Sequence, residues 1–132
     1  MNPSGIIIRP GAQTVKETID SMVAFLEQHG ATIYARIDQQ DELKKAGLTI
    51  GPLEYLLFGN PKAGGPIMQQ NPAAALDLPL KIIAWEDEAQ KVWVAFNDAA
   101  FIEERFSLSK GVSGPLNLAP ILDKALSQQG GF

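Results

Sequence analysis

Lys81-Ile82-Ile83-Ala84-Trp85-Glu86, Asp87-Glu88-Ala89-Gln90 and Lys91-Val92-Trp93-Val94-Ala95-Phe96 form the stretch whose reading decides the fold. Two runs rich in β-branched and aromatic residues, joined by a short polar segment, predict an antiparallel hairpin. A four-residue turn pairs Glu86 with Lys91. That register places Ile83, Trp85, Val92, Val94 and Phe96 on one face, and Ile82, Ala84, Trp93 and Ala95 on the other. Both faces are then apolar, so each calls for cover. On the second face a large ring, Trp93, stands beside small side chains. It can pack under a helix, line a ligand pocket or enter a second subunit, and helix cover or a subunit interface is favoured because buried aromatic surface more often serves packing. Ile82, Ala84, Trp93 and Ala95 are the expected interface residues.

Outward from the hairpin, Asp98 is placed to cap a helix through Phe101, Ile102 and Arg105. A last amphipathic helix, about residues 117–128, starts near Asn117, accepts Pro120 in its first turn and buries Leu118, Ile121, Leu122, Ala125 and Leu126. On the N-terminal side, Ile6 to Arg9 reads as a short strand closed by Pro10-Gly11. Thr14 and Glu17 form a capping box ahead of Val15, Ile19, Met22, Val23 and Leu26 at helical spacing, with Gly30 as the stop. Thr32 to Ile37 alternates as a half-buried strand. Asp38 caps a short helix stopped by Gly47, and Glu54 to Phe58 is a strand ending in Gly59. Asn60 to Pro79 is expected to be irregular, with a helical turn opened by Asn71-Pro72. Strand, helix, further strands and C-terminal helices give an α+β class, a mostly antiparallel sheet with helices on one face.

The chain has 132 residues, 45% of them hydrophobic and 20% charged, the size and balance of a single domain over residues 1–132. A net charge of −4 argues against general nucleic-acid binding, which needs a basic surface to displace counterions from phosphates. No cysteine is present, which excludes disulfides, thiolate catalysis and thiolate metal sites, and the lone histidine excludes a multi-histidine metal centre within one chain. No apolar run approaches a membrane span, and Met1 to Ile8 lacks a signal-peptide pattern, so a soluble cytoplasmic protein without membrane partners is expected.

Phe58-Gly59-Asn60-Pro61-Lys62, Asp77-Leu78-Pro79-Leu80-Lys81 and Trp93 to Asp98 together resemble the family catalogued as domain of unknown function 302, over about residues 5–107. The resemblance implies a curved sheet of TATA-binding-protein-like β-α-β4-α order and a compact homodimer. It implies no reaction. Where the family pattern carries a histidine after Ile-Asp, this chain has Gln39. Gly64-Gly65 stands in place of Gly-Thr, and Phe96 in place of Tyr. Metal or haem chemistry through that histidine therefore does not carry over, and no metal or cofactor is expected.

Candidate sites compete with simpler readings. Asn60, Lys62, Gly64 and Gly65, with Gln39, are the expected ligand-binding residues, because a glycine-rich loop between a strand and a helical turn can present amides and a lysine to an anion. The same loop also reads as a turn capped by the Asn60 amide, and it lacks the Walker spacing. His29, directly before Gly30, reads as a helix C-terminal group. Glu86-Asp87-Glu88 and Asp38/Asp41/Glu42 read as solvated charges without calcium-loop spacing. The function expected is therefore a homodimeric module that binds a small ligand or a protein partner and has no catalytic residues. The alternative is an enzyme acting on a small anionic substrate, with Lys62 stabilising charge and Asn60 orienting the substrate.

Overall fold

The structure, a computed structural model, describes residues 4–126. Its five strands are β1 (Ile6–Pro10), β2 (Thr32–Asp38), β3 (Leu53–Gly59), β4 (Leu80–Glu86) and β5 (Val92–Asn97), in the order β1-β5-β4-β3-β2. All four ladders are antiparallel. β1 and β2 are thus opposite edges, and the chain must cross the whole sheet between them. The crossing element is α1 (Val15–Gln28), whose 14 residues make a rod of about 21 Å, close to the width of roughly 19 Å that five strands span. α1 starts at the expected capping box, with the Thr14 side chain accepting from the Glu17 amide at 3.1 Å. It ends at Gly30, whose φ of 81° suits a residue without Cβ.

Burial alternates along the strands. In β3, Leu56 and Phe58 are buried while Leu53, Tyr55 and Leu57 keep partial exposure. Leu56, Ile82, Ala84 and Val94 form the covered face with Ile19 and Met22 of α1. α4 (Ala99–Arg105) adds Ile102, and α5 (Ala119–Leu126) adds Leu122, Ala125 and Leu126 to the same core. Of the expected C-terminal helix, residues 127 and 128 lie outside the described residues, as does the side chain of Ile121.

The hairpin differs from expectation by one residue. The Asp87 amide donates to the Lys91 carbonyl at 2.8 Å, and the Gln90 amide donates to the Asp87 carbonyl at 3.0 Å. Asp87 Oδ1 accepts from the amides of Ala89 and Lys91, each at 2.9 Å. Gln90 adopts a φ of 59°. This is a type I turn followed by a left-handed residue, which leaves Glu88-Ala89-Gln90 as the loop and pairs Glu86 with Val92. A one-residue slip exchanges the faces of a strand. Val92, Val94 and Phe96 therefore join Ile82 and Ala84 under the helices, while Ile83 and Trp85 join Trp93 and Ala95 on the other side. The expected interface set is corrected accordingly, because Ile82 and Ala84 are fully buried in the core and only Trp93 and Ala95 lie on the outer face.

Two helices separate strands that the expected β-α-β4-α order ran together. The Asp38 cap predicts α2 (Gln39–Lys45), and its side chain accepts from the Asp41 amide at 3.0 Å. α3 (Pro61–Gln70) replaces an expected irregular segment, in which Gly64-Gly65-Pro66 reads as helix-breaking. Asn60 at the cap and Pro61 in the first turn are the start signal, the same pair that opens the 3-10 turn at Asn71-Pro72. Pro66 removes one backbone donor, so the helix loses a single bond, to the Lys62 carbonyl.

A carboxylate enters the covered face. Glu54 of β3 is 9% exposed and accepts from Arg36 Nε of β2 at 2.8 Å. The same guanidinium donates to Asp20 of α1 at 2.6 Å and to the Lys16 carbonyl at 3.2 Å. Edge strand, neighbouring strand and crossing helix are thereby joined at one cation. Arg36→Ala leaves Glu54 charged and unpaired near the core, and is expected to cost about 3 kcal/mol in urea denaturation. Arg9→Ala, which removes the exposed pair with Asp123, should cost less than about 1 kcal/mol.

Candidate functional site

Two surfaces stand out. The first is the outer face of the sheet. Cross-strand pairing sets Trp85 directly opposite Trp93, Ile83 opposite Ala95, and Tyr55 opposite Ile83. Ile8 adjoins Ala95 and Ile37 adjoins Tyr55, so an apolar row runs from one edge strand to the other. The outward residues of β3 and β4 all retain exposure, while the inward Glu54, Leu56, Phe58, Leu80, Ile82 and Ala84 are buried. Trp93 is held in place. Its Nε1 donates to Asp87 Oδ2 at 2.8 Å, and Lys91 Nζ sits 4.3 Å from the ring centroid. The indole's one polar atom is thus satisfied within its own hairpin, and further burial of the ring would orphan no donor.

The second surface is a half-open pocket of about 140 Å³ at the end of the sheet where β3 passes into α3. Tyr34, Gly59, Asn60 and Pro61 form one side, Gly64 and Met68 come from α3, and Leu78, Pro79, Leu80 and Leu116 close the rest. Tyr34 reaches it because β2 bulges there. Ile33 pairs with Phe58 and Ala35 with Leu57, which leaves Tyr34 without a partner across the ladder. The opposite wall is tied down by side chains. Arg105 of α4 grips both carboxylate oxygens of Asp77 at 2.9 Å, and Asn71 Nδ2 donates to the Phe106 carbonyl at 3.0 Å.

The expected ligand residues separate. Asn60 and Gly64 line this pocket, whereas Lys62 and Gly65 stand outside its lining and Gln39 opens α2, on the far side of β2 from Tyr34. Asn60 organises the helix start. Its Oδ1 accepts from the Lys62 amide at 2.9 Å, and its carbonyl accepts from Ala63 at 2.9 Å and Gly64 at 3.0 Å. Those amides are already bonded, which removes donors that an anion cradle would use. Tyr34, Met68, Leu78, Pro79 and Leu116 escaped the sequence reading. Leu78 and Pro79 stood inside the quoted motif but carry no polar chemistry, and Tyr34 fell on the solvent side of a regular alternation until the bulge displaced it.

Other candidates have structural roles. His29 Nδ1 lies 2.8 Å from the Phe25 carbonyl and its ring stacks on Phe25 at 4.5 Å between centroids. Glu103 accepts from the amides of Gly111 and Ser113 and from the Ser113 hydroxyl, hydrogen bonds that lower its pKa and fasten the loop after α4.

A five-stranded antiparallel sheet with helices on one face, a half-buried tryptophan pair on the other and a pocket built from the Gly-Asn-Pro segment defines the class of protein. The chain belongs to the family described as domain of unknown function DUF302, whose sequence model matches residues 9–127. An uncharacterized conserved DUF302 protein from Bacillus stearothermophilus shares the fold, with a TM-score of 0.79 at 15% identity, over 96% of this chain and 98% of that one. A relative in Brucella suis biovar 1 (strain 1330), named fluoride-specific ion channel FluC 1, is 38% identical over 105 residues, or 80% of this chain and 41% of the relative. One in Brucella melitensis biotype 1, named fluoride-specific ion channel FluC 2, shows the same identity over 39% of its length. The chain thus spans about two fifths of the length of these curated relatives. Among the described residues no helix is long and apolar enough to cross a membrane.

The hydrogen bond from Trp93, with those from the Lys91 and Ala89 amides, holds the Asp87 carboxyl below its ordinary value. A depressed acid contributes stability that is complete above its unfolded pKa and is lost as pH falls through the folded one. Protonation should therefore release Trp93 only below the ordinary aspartate range. An NMR titration of the Trp93 indole N–H is expected to show that acid-side midpoint, and Asp87→Asn to abolish it. A second measurement concerns the anion reading of the Asn60–Lys62 loop. Phosphate, compared with chloride at matched ionic strength, should raise the melting temperature of Lys62→Ala as much as that of the unaltered chain.

Proposed function

We propose that this chain is a single-domain, non-catalytic module that pairs with a second copy through the outer face of its sheet. The observation that supports this reading is the juxtaposition of Trp85 and Trp93 on a face whose central row, Ile8, Ala95, Ile83, Tyr55 and Ile37, carries no charge. An uncharged, aromatic centre with polar groups at its margin is the composition of a protein interface. Here the margin is supplied by Lys81, opposite Leu57, and by Asp87 and Lys91 of the hairpin turn. A two-fold axis through such a face sets the same residues against one another, so one patch serves both subunits. Trp93 is already oriented by Asp87 and Lys91, which reduces the side-chain ordering that association would otherwise require.

The Brucella relatives fit the same picture. In chains named fluoride-specific ion channels the matched stretch is about two fifths of the length, an arrangement suited to a module that works beside another protein part. An enzyme acting on a small anion at Asn60 and Lys62 is less well supported, because the helix-start amides there are bonded to Asn60.

Sedimentation tests the pairing. The unaltered chain should be a dimer at tens of micromolar, an order-of-magnitude working range. Trp93→Glu and Ile83→Glu should each weaken association by roughly thirtyfold or more, while Leu76→Glu, at a position 73% exposed and away from the sheet, should leave it unchanged. A monomeric unaltered chain at that concentration would refute the proposal.

A further inference from the structure

We infer that the pocket between β3, α3 and the Leu78-Pro79 segment is a binding site for a compact apolar molecule that carries one hydrogen-bond acceptor, with Asn60 Nδ2 as its donor. The inference concerns the end of the sheet away from the Trp85–Trp93 pair and does not depend on pairing. Size is the first argument. About 140 Å³ is close to the roughly 150 Å³ of an apolar protein cavity that accepts benzene, so a six-membered ring or a short branched chain fills it. The lining is the second, for Leu78, Pro79, Leu116, Met68 and the Tyr34 ring offer hydrocarbon on every side but one.

Two glycines supply the third argument. Neither Gly59 nor Gly64 has the positive φ that would demand glycine. A Cβ on Gly64 would stand 3.6 Å from Leu78 Cδ1 and 3.8 Å from Met68 Cε, in ordinary contact. One on Gly59 would stand 3.4 Å from Pro79 Cβ and 3.5 Å from Tyr34 Cε2. Alanine would therefore fit at Gly64 and favour the helix, yet the chain keeps a weak helix former there. What glycine preserves at both positions is open space in the pocket. A residue that is poor for local stability and opens a cavity is the pattern expected where function opposes stability.

The polar selectivity comes from Asn60. Its Oδ1 is committed to the Lys62 amide at 2.9 Å, which fixes which end of the side-chain amide is left. Nδ2 donates to no described residue, and it is the one side-chain amide in the lining. A carbonyl or ether oxygen on an otherwise apolar molecule would satisfy it, whereas a hydrocarbon of the same shape would leave it without a protein or ligand partner.

Acetophenone and ethylbenzene, which share a shape and differ in the acceptor, are the probes. Titration followed by NMR should give acetophenone a dissociation constant on the order of millimolar, with shifts confined to Tyr34, Met68 and Leu78. Ethylbenzene should bind the same place several-fold more weakly. Asn60→Asp keeps the capping oxygen and removes the donor, and should erase the preference between the probes while the chain stays folded. Gly64→Ala should raise the melting temperature by a few degrees and weaken both probes about tenfold or more. Shifts that map elsewhere, or equal affinities for the two probes in the unaltered chain, would overturn the inference. So would a Gly64→Ala protein that binds both probes as tightly as before.

Discussion

The Asp87 carboxylate controls which side of β5 meets the core, and most of the molecule's surface character follows from that choice. One oxygen gathers the Ala89 and Lys91 amides, which shortens the loop to Glu88-Ala89-Gln90, and the other receives the Trp93 indole. With that loop, Val92, Val94 and Phe96 fall under α1 and α5, and Trp93 falls beside Trp85. A loop longer by one residue would bury Trp93 and send Val94 and Phe96 to solvent. Volume weighs on the same side, since three medium and large apolar residues fill the inner layer without an indole N–H to satisfy. Turn chemistry and packing therefore agree.

Different devices build the two ends of the sheet. At the hairpin end, side-chain hydrogen bonds and a lysine over an aromatic ring hold the apolar face around Trp93 in a set arrangement. At the opposite end, a bulge in β2, an asparagine cap and a proline segment leave a recess that side chains do not fill. Rigidity around the recess comes from long-range ties. Arg105 to Asp77 and Asn71 to Phe106 fasten the segment before β4 to α4, so the pocket wall does not depend on local loop preference. The Arg36 cluster holds the bulged edge strand to its neighbour and to α1. The bulge sits between this cluster and the pocket, which gives Tyr34 a firm base.

Much of the fold was legible locally. The capping box at Thr14 and Glu17, the Gly30 stop, the Asp38 and Asp98 caps and the strand alternation of β3 each combine one residue type with one backbone requirement, and each occurs in the structure. α3 was hidden for the converse reason. Gly64, Gly65 and Pro66 oppose helix individually, and packing of Ile67, which is fully buried, outweighs them. The candidate site was half legible. Asn60 and Gly64 stand out as polar or flexible members of a motif, but the wall is mostly hydrocarbon drawn from β2, α3, the Leu78-Pro79-Leu80 run and the C-terminal region, and hydrocarbon residues give no chemical signal of a cavity.

By itself the sequence determined the α+β class, the helix and strand starts that caps and alternation encode, and the family to which the chain belongs, because these depend on contacts within a few residues or on quoted motifs. Only the tertiary structure decided the hairpin register, the side on which each tryptophan stands, the existence of α3 and the gathering of Tyr34, Leu78 and Leu116 around Asn60. Those outcomes turn on a difference of one residue in a loop, where the Asp87 turn and core packing act together, and on which distant surfaces fill a shared volume, which packing across the whole sheet settles.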